Sequence, residues 1–219
     1  EEADGQVLYT YDEEGKRLSM SDLTGTSTYQ YDADGRITGV QQGDGSVILY
    51  NYDSYGNLAK LIYPDGSEVQ YEYDALDRLI KVTDREGKET GYTYDVAGNM
   101  TEVLRANQTS AKLTYDAAHQ VTEIQNRDAK GKTISTYRYT YDLSGYILTE
   151  SIKTKKETKV SNYGYDAAGQ LSEIVMKDSE DKVIQRVTYA YDGAGNKIEV
   201  RQSTENALEQ ATETIIKNT

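Results

Sequence analysis

Nine tyrosines, each followed by an aspartate, recur along this 219-residue chain: Tyr11-Asp12, Tyr31-Asp32, Tyr52-Asp53, Tyr73-Asp74, Tyr94-Asp95, Tyr115-Asp116, Tyr141-Asp142, Tyr165-Asp166 and Tyr191-Asp192. A phenol beside a carboxylate is a weak acid beside a base, which is the raw material of acid–base chemistry. Paired carboxylates also serve glycoside hydrolysis, which needs two carboxyl groups roughly 5 to 10 Å apart. With 37 acidic residues, some pair meets that distance by chance. His119, the one histidine, has the chemistry of a general base or metal ligand. "DADG" at 32–35 and "DSED" at 178–181 come nearest to calcium loops, but neither follows the D-x-[DN]-x-[DN]-G order. No GxSxG elbow, HExxH helix, GxxxxGKS loop or GxGxxG fingerprint accompanies them. "KTKKETK" at 153–159 is a basic cluster whose simplest reading is solvated loop charge rather than a docking patch.

The spacing of the pairs argues for scaffolding. Successive aspartates lie 20, 21, 21, 21, 21, 26, 24 and 26 residues apart, with the added length expected in the loop opposite the aspartate. Counting each aspartate as position 0, position −1 is always Tyr, and −3 is Tyr in eight repeats, with Leu113 the exception. The residue between them is small or polar, so both tyrosines belong to one face of a half-buried strand. Position +5 is apolar in seven repeats (Ile37, Leu58, Leu79, Met100, Val121, Ile147, Leu171) and +8 in eight (Met20, Val40, Leu61, Val82, Val103, Ile124, Ile174, Val200). That odd spacing places them on opposite faces of a regular strand, so either a bulge intervenes or both faces are partly covered.

The aspartate suits a turn, accepting hydrogen bonds from N–H groups further along. Position +3 is Gly in seven repeats, and the exceptions, Asp77 and His119, belong to the few residue types enriched at positive φ. His119 is therefore read as a turn residue. An enzyme would break the repeat symmetry in a pocket, and no such break is evident, so no catalytic, cofactor-binding or metal-binding residue is assigned. The nine Tyr-Asp pairs are assigned as structural repeat residues.

Composition narrows partners. A formal charge of −13 opposes nucleic acid and anionic membranes. No apolar run approaches the ~20 residues that span a bilayer, and no signal peptide opens the chain. Without Cys, disulfides and thiolate chemistry are excluded. There is no Phe or Trp, and 21 Tyr supply all the aromatic area, which favours a thin structure with hydroxyl tips near solvent.

"GDGS", "PDGS", "DREGK" and "RDAKGK" between extended runs complete the hairpin signature. The expected fold is all-β: residues 1–219 as a single array of tandem hairpins in an antiparallel sheet. About 18 to 20 strands exceed what an open twisted sheet usually holds, so the sheet is expected to curl or spiral, with Tyr stacked on Tyr from repeat to repeat. "DGQVLY" at 4–9 resembles "DGSVILY" at 44–50, which places residue 4 within a hairpin turn. Shifting residues 177–192 by 24 reads 201–219 as a degenerate tenth hairpin or cap, with Ile215 and Ile216 at the Tyr and Asp positions.

The consensus Tyr-x-Tyr-Asp-x-x-Gly-Asn/Arg-Leu, exemplified by "YNYDSYGNLAKLIYPDGSEVQYEYD" at 50–74, resembles the YD repeats of the Rhs family. That family includes bacterial Rhs and wall-associated proteins, the C components of Tc toxins and the animal teneurins. The resemblance implies a spiralling sheet that walls a hollow shell, which in the toxins encloses an effector. It implies a secreted or cell-surface setting, and the remainder of a longer chain or an enclosed effector as partners. A carbohydrate-binding or adhesion module is the alternative it implies, with glycans as partners. The toxins' Asp-Pro-x-Gly-Leu cleavage motif is not matched, since the single proline, Pro64, sits in a hairpin turn, and no effector domain is read in the chain. What carries over is a non-catalytic wall, without cargo or protease.

Overall fold

A computed structural model describes residues 6–205 and 211–217. They form strands joined by tight turns: β1 (Leu8–Tyr11), β2 (Arg17–Asp22), β3 (Gly25–Tyr31), β4 (Ile37–Gln41), β5 (Val47–Tyr52), β6 (Leu58–Ile62), β7 (Glu68–Tyr73), β8 (Leu79–Thr83), β9 (Glu89–Tyr94), β10 (Met100–Leu104), β11 (Ser110–Tyr115), β12 (Val121–Arg127), β13 (Thr133–Tyr141), β14 (Ile147–Thr154), β15 (Thr158–Tyr165), β16 (Leu171–Lys177), β17 (Val183–Tyr191), β18 (Lys197–Glu205) and β19 (Ala211–Lys217). Among the described residues no helix is long and apolar enough to cross a membrane. The fold is all-β. Two compact units divide between Tyr92 and Thr93. In the first, each strand pairs antiparallel with its sequence neighbour from β1 to β9. In the second, the same holds from β10 to β19.

The odd spacing of +5 and +8 is produced by a β-bulge. In the first hairpin Tyr11 faces Arg17 and Thr10 faces Ser19, so Leu18 at +6 is the extra residue. The same shift recurs at Tyr31, Tyr52 and Tyr73 in the first unit, and at Tyr115, Tyr141, Tyr165 and Tyr191 in the second. Position −1 thus faces +5 and −3 faces +8, which brings both apolar positions onto the tyrosine face. The opposite face carries −2 and +7. It is polar, with ion pairs such as Lys60–Glu68 (2.8 Å), Lys81–Glu72 (2.6 Å) and Arg138–Glu123 (2.7 Å).

Within each unit the sheet is one layer thick. Among the described residues Ala111 is the only buried hydrophobic side chain, no large side chain is fully buried, and the tyrosines are mostly half-buried. Stability therefore rests on cross-strand neighbours rather than on a second layer.

Two expectations are corrected. The added residues of the later repeats enter the strands and not the loop: β13 and β17 have 9 residues, whereas β5 and β7 have 6. The far turns keep the same tight form, with Asp128 N–H bonded to the Lys132 carbonyl at 2.9 Å, as extra residues in a strand gain ladder bonds that loop residues lack. Nor do the −1 and −3 tyrosines form a stacked ladder: among the described residues one ring pair, Tyr146–Tyr165, joins successive repeats. The ring pairs among the described residues are Tyr9–Tyr11 within one strand and Tyr146–Tyr165, with centroids 4.8 Å apart.

At the carboxyl end β18 and β19 pair with Val200 opposite Ile216 and Arg201 opposite Ile215. Ile216 therefore faces a +8 residue, whereas the 24-residue shift assigns it the Asp position. Residues 206–210 and 218–219, and the 4–5 turn, lie outside the described residues.

Candidate functional site

Each aspartate of the nine pairs ends a strand and folds the next four residues around its carboxylate. Asp74 Oδ1 accepts from the N–H groups of Leu76 (2.9 Å) and Arg78 (3.1 Å). Asp116 does the same with Ala118 and Gln120, and Asp142 with Ser144 and Tyr146. Asp12, Asp32, Asp53, Asp95, Asp166 and Asp192 repeat the pattern at +2 and +4. The second carboxylate oxygen takes the +4 side chain where that is Arg or Asn, as Arg78 Nε to Asp74 (2.7 Å) and Asn99 Nδ2 to Asp95 (2.9 Å). These side chains, joined by the backbone N–H donors, hold Asp74 and Asp95 below the usual carboxylate range.

Position +3 has positive φ throughout, including Asp77 (57°) and His119 (63°). Both non-glycine residues meet an asparagine from the +4 position of the preceding repeat. Asn57 Nδ2 donates to Asp77 (2.8 Å), and His119 Nδ1 lies 3.0 Å from Asn99 Oδ1. His119 is thus the end of a His119–Asn99–Asp95 chain of hydrogen bonds between two turns.

The tyrosine hydroxyls at −1 have a use that the sequence reading missed. Seven of them reach back to the +5 backbone carbonyl of the preceding repeat: Tyr31 to Arg17 (2.8 Å), Tyr52 to Ile37 (2.8 Å) and Tyr73 to Leu58 (3.0 Å) in the first unit. In the second, Tyr115 donates to Met100 (2.7 Å), Tyr141 to Val121 (2.6 Å), Tyr165 to Ile147 (3.0 Å) and Tyr191 to Leu171 (2.8 Å). The acceptor lies where pairing between repeats has stopped. The ladder from β4 to β5, for example, ends at Gly39, two residues short of Ile37. The phenol closes that gap, so the hydroxyl tips expected near solvent are spent on the seam between hairpins. Phe cannot do this.

At position +8 one repeat departs from the pattern, and the sequence reading passed over it. Position +8 of the Asp142 repeat is Glu150, where the other eight are apolar. Glu150 stands opposite Tyr139 on β13 and Ser161 on β15. Tyr163 donates to Glu150 Oε2 at 3.0 Å, and Tyr139 stands directly across the ladder from it. Burial, reinforced by that carboxylate, pushes both phenols up to about 12. Of the other candidates, Asp32 and Asp178 in "DADG" and "DSED" each bind turn N–H groups. "KTKKETK" spans the β14–β15 hairpin, closed by Thr154 N–H to the Glu157 carbonyl at 2.9 Å.

Within each unit, a single layer of hairpins sealed by carboxylate turns and seamed by phenols defines a YD-repeat β-sheet of the shell type. The chain belongs to the Teneurin YD-shell family, whose model matches residues 4–83 and 66–210. No curated protein matches it. Solved structures share the fold. The crystal structure of TcdB2-TccC3 without its hypervariable C-terminal region gives a TM-score of 0.61 at 18% identity, covering 90% of this chain and 12% of that one. The Photorhabdus luminescens Tc holotoxin pore gives 0.61 at 17% identity, covering 95% and 15%. The crystal structure of TcdB2-TccC3 gives 0.56 at 16% identity, covering 97% and 14%. The chain spans about a seventh of the length of these structures.

Proposed function

We propose that the chain is a non-catalytic wall segment of a larger secreted or surface-exposed protein, one continuous array whose sheet curls around an interior that holds another polypeptide. The observation that carries this reading is how the Tyr-Asp chemistry is used. Carboxylates are occupied by turn N–H groups and −1 phenols by backbone carbonyls, so the groups that would serve a substrate build the sheet instead. The same occupancy weighs against a glycan platform made of the −1 hydroxyls. Membership of a shell family and the fold shared with toxin complexes support the enclosing role.

Limited proteolysis of the full-length polypeptide that contains this segment tests the proposal. An interior segment should resist protease while the wall is intact, and should be cut when Tyr73→Phe, Tyr115→Phe and Tyr141→Phe together loosen the seams. Equal cutting in both proteins would refute enclosure.

A further inference from the structure

The tyrosine face carries a carboxylate that nothing in the repeat requires. Glu150 occupies the position that is Met, Val, Leu or Ile in every other repeat, and its neighbours along that face of β14 are Ile147 and Ile152. Across the ladders it meets Tyr139 and Ser161, with Tyr163 donating at 3.0 Å. A carboxylate on an apolar face costs free energy unless a charge or hydrogen bonds offset it. The Tyr163 phenol supplies one hydrogen bond, but a phenol is neutral, and among the described residues no lysine or arginine is ion-paired with Glu150. The glutamates and aspartates that do form ion pairs, such as Glu123 with Arg138, lie at turns or on the polar face.

We infer that Glu150, with Tyr139 and Tyr163, is a subsite for one lysine or arginine side chain of a polypeptide lying across the tyrosine face. The charge it lacks is the charge such a side chain brings, and aromatic rings beside a carboxylate favour a cation twice, by ion pairing and by the ring quadrupole. The isoleucines on either side of Glu150 fit an extended segment with apolar residues flanking the basic one. The occupant is thus a polypeptide with an apolar-basic-apolar pattern, not a free ammonium ion. This subsite does not depend on the enclosing role, because binding is read on the open chain. Failure here leaves the wall proposal standing, and loss of protease protection leaves this one standing.

The test is an NMR titration of the 219-residue chain with the capped peptide Leu-Ser-Arg-Ser-Leu and its citrulline counterpart, which keeps the shape without the charge. The arginine peptide should shift resonances of Glu150, Tyr139 and Tyr163 and bind at least tenfold tighter than the citrulline peptide. Glu150→Gln should weaken it roughly 10- to 100-fold, the range set by one charged hydrogen-bonded pair. Glu150→Leu, which restores the repeat pattern and folds at least as stably, should do the same. Equal affinity for both peptides, unchanged binding by Glu150→Gln, shifts confined to the Asp turns, or no binding at millimolar peptide would each overturn the inference.

Discussion

The two turns that flank β8 share one carboxylate clasp and differ in what surrounds it. At one end Asp74 Oδ1 gathers the N–H groups of Leu76 and Arg78, and Asp77 takes positive φ. At the other, Asp84 Oδ1 gathers those of Glu86 and Lys88, both at 2.9 Å, and Gly87 takes positive φ. Both carboxylates clasp two N–H groups, but Asp74 also holds the Arg78 side chain, and Tyr73 precedes the first turn and Thr83 the second. The first has a bulge between Glu72 and Tyr73, whereas Thr83 and Val82 pair in regular register with Glu89 and Thr90. Aspartate therefore makes the turn wherever it stands, and tyrosine makes the seam only where a bulge leaves a carbonyl for it. In the second unit Asp128 and Asp178 build the same turn behind Arg127 and Lys177, where the register also shifts, so a bulge alone does not bring a tyrosine.

The largest effect that would sharpen this contrast is loss of a turn carboxylate. Asp74→Ala and Asp84→Ala should lower the urea midpoint by similar amounts, and more than any single Tyr→Phe change. A much larger loss at Asp74 would break the equivalence of the two turns.

Acid should act through the same groups. Asp32, Asp74, Asp95 and Asp192 have folded-state values below the ordinary 3.8. Their stabilisation is complete above 3.8 and lost as pH falls through the lowered values. Circular dichroism during acid titration should show a transition that Asp74→Asn makes shallower. Alkali should act on the tyrosine face instead. The Tyr139 and Tyr163 phenols titrate near 12 when folded and 10 when unfolded, so their contribution is full below 10 and lost between 10 and 12. Tyrosinate absorbance at 295 nm should rise together with the loss of sheet, and Glu150→Leu should advance the titration of these two phenols to lower pH.

The smallest effect belongs to His119. Removing it with His119→Gly relieves a positive φ and loses one exposed hydrogen bond, so stability should change by less than about 0.5 kcal/mol. A loss several times larger would show that the His119–Asn99–Asp95 chain does more than join two turns.

Much of this was legible in the sequence because turn chemistry is local. The carboxylate, its N–H donors and the positive φ at +3 lie within five residues, and Asp77 and His119 pointed to that φ by residue type. The bulge stayed undecided because +5 and +8 fit two geometries until the register is seen. The phenol's acceptor was hidden because it is a backbone carbonyl one repeat earlier, and a carbonyl has no residue signature. Glu150 was visible as the one polar residue at +8, but a search for pockets and acidic clusters passes over a lone carboxylate on a sheet face.

The seam is the central claim, and one comparison of stabilities tests it most directly. Tyr52 and Tyr73 donate to Ile37 and Leu58, whereas Tyr50 and Tyr71, two residues earlier on the same strands and the same face, make no such bond. Replacing Tyr52 and Tyr73 together by Phe should cost about 2 kcal/mol in urea unfolding, at ~1 kcal/mol per hydrogen bond. Replacing Tyr50 and Tyr71 together by Phe should change stability by less than about 0.5 kcal/mol. Equal losses from the two double variants would contradict the account.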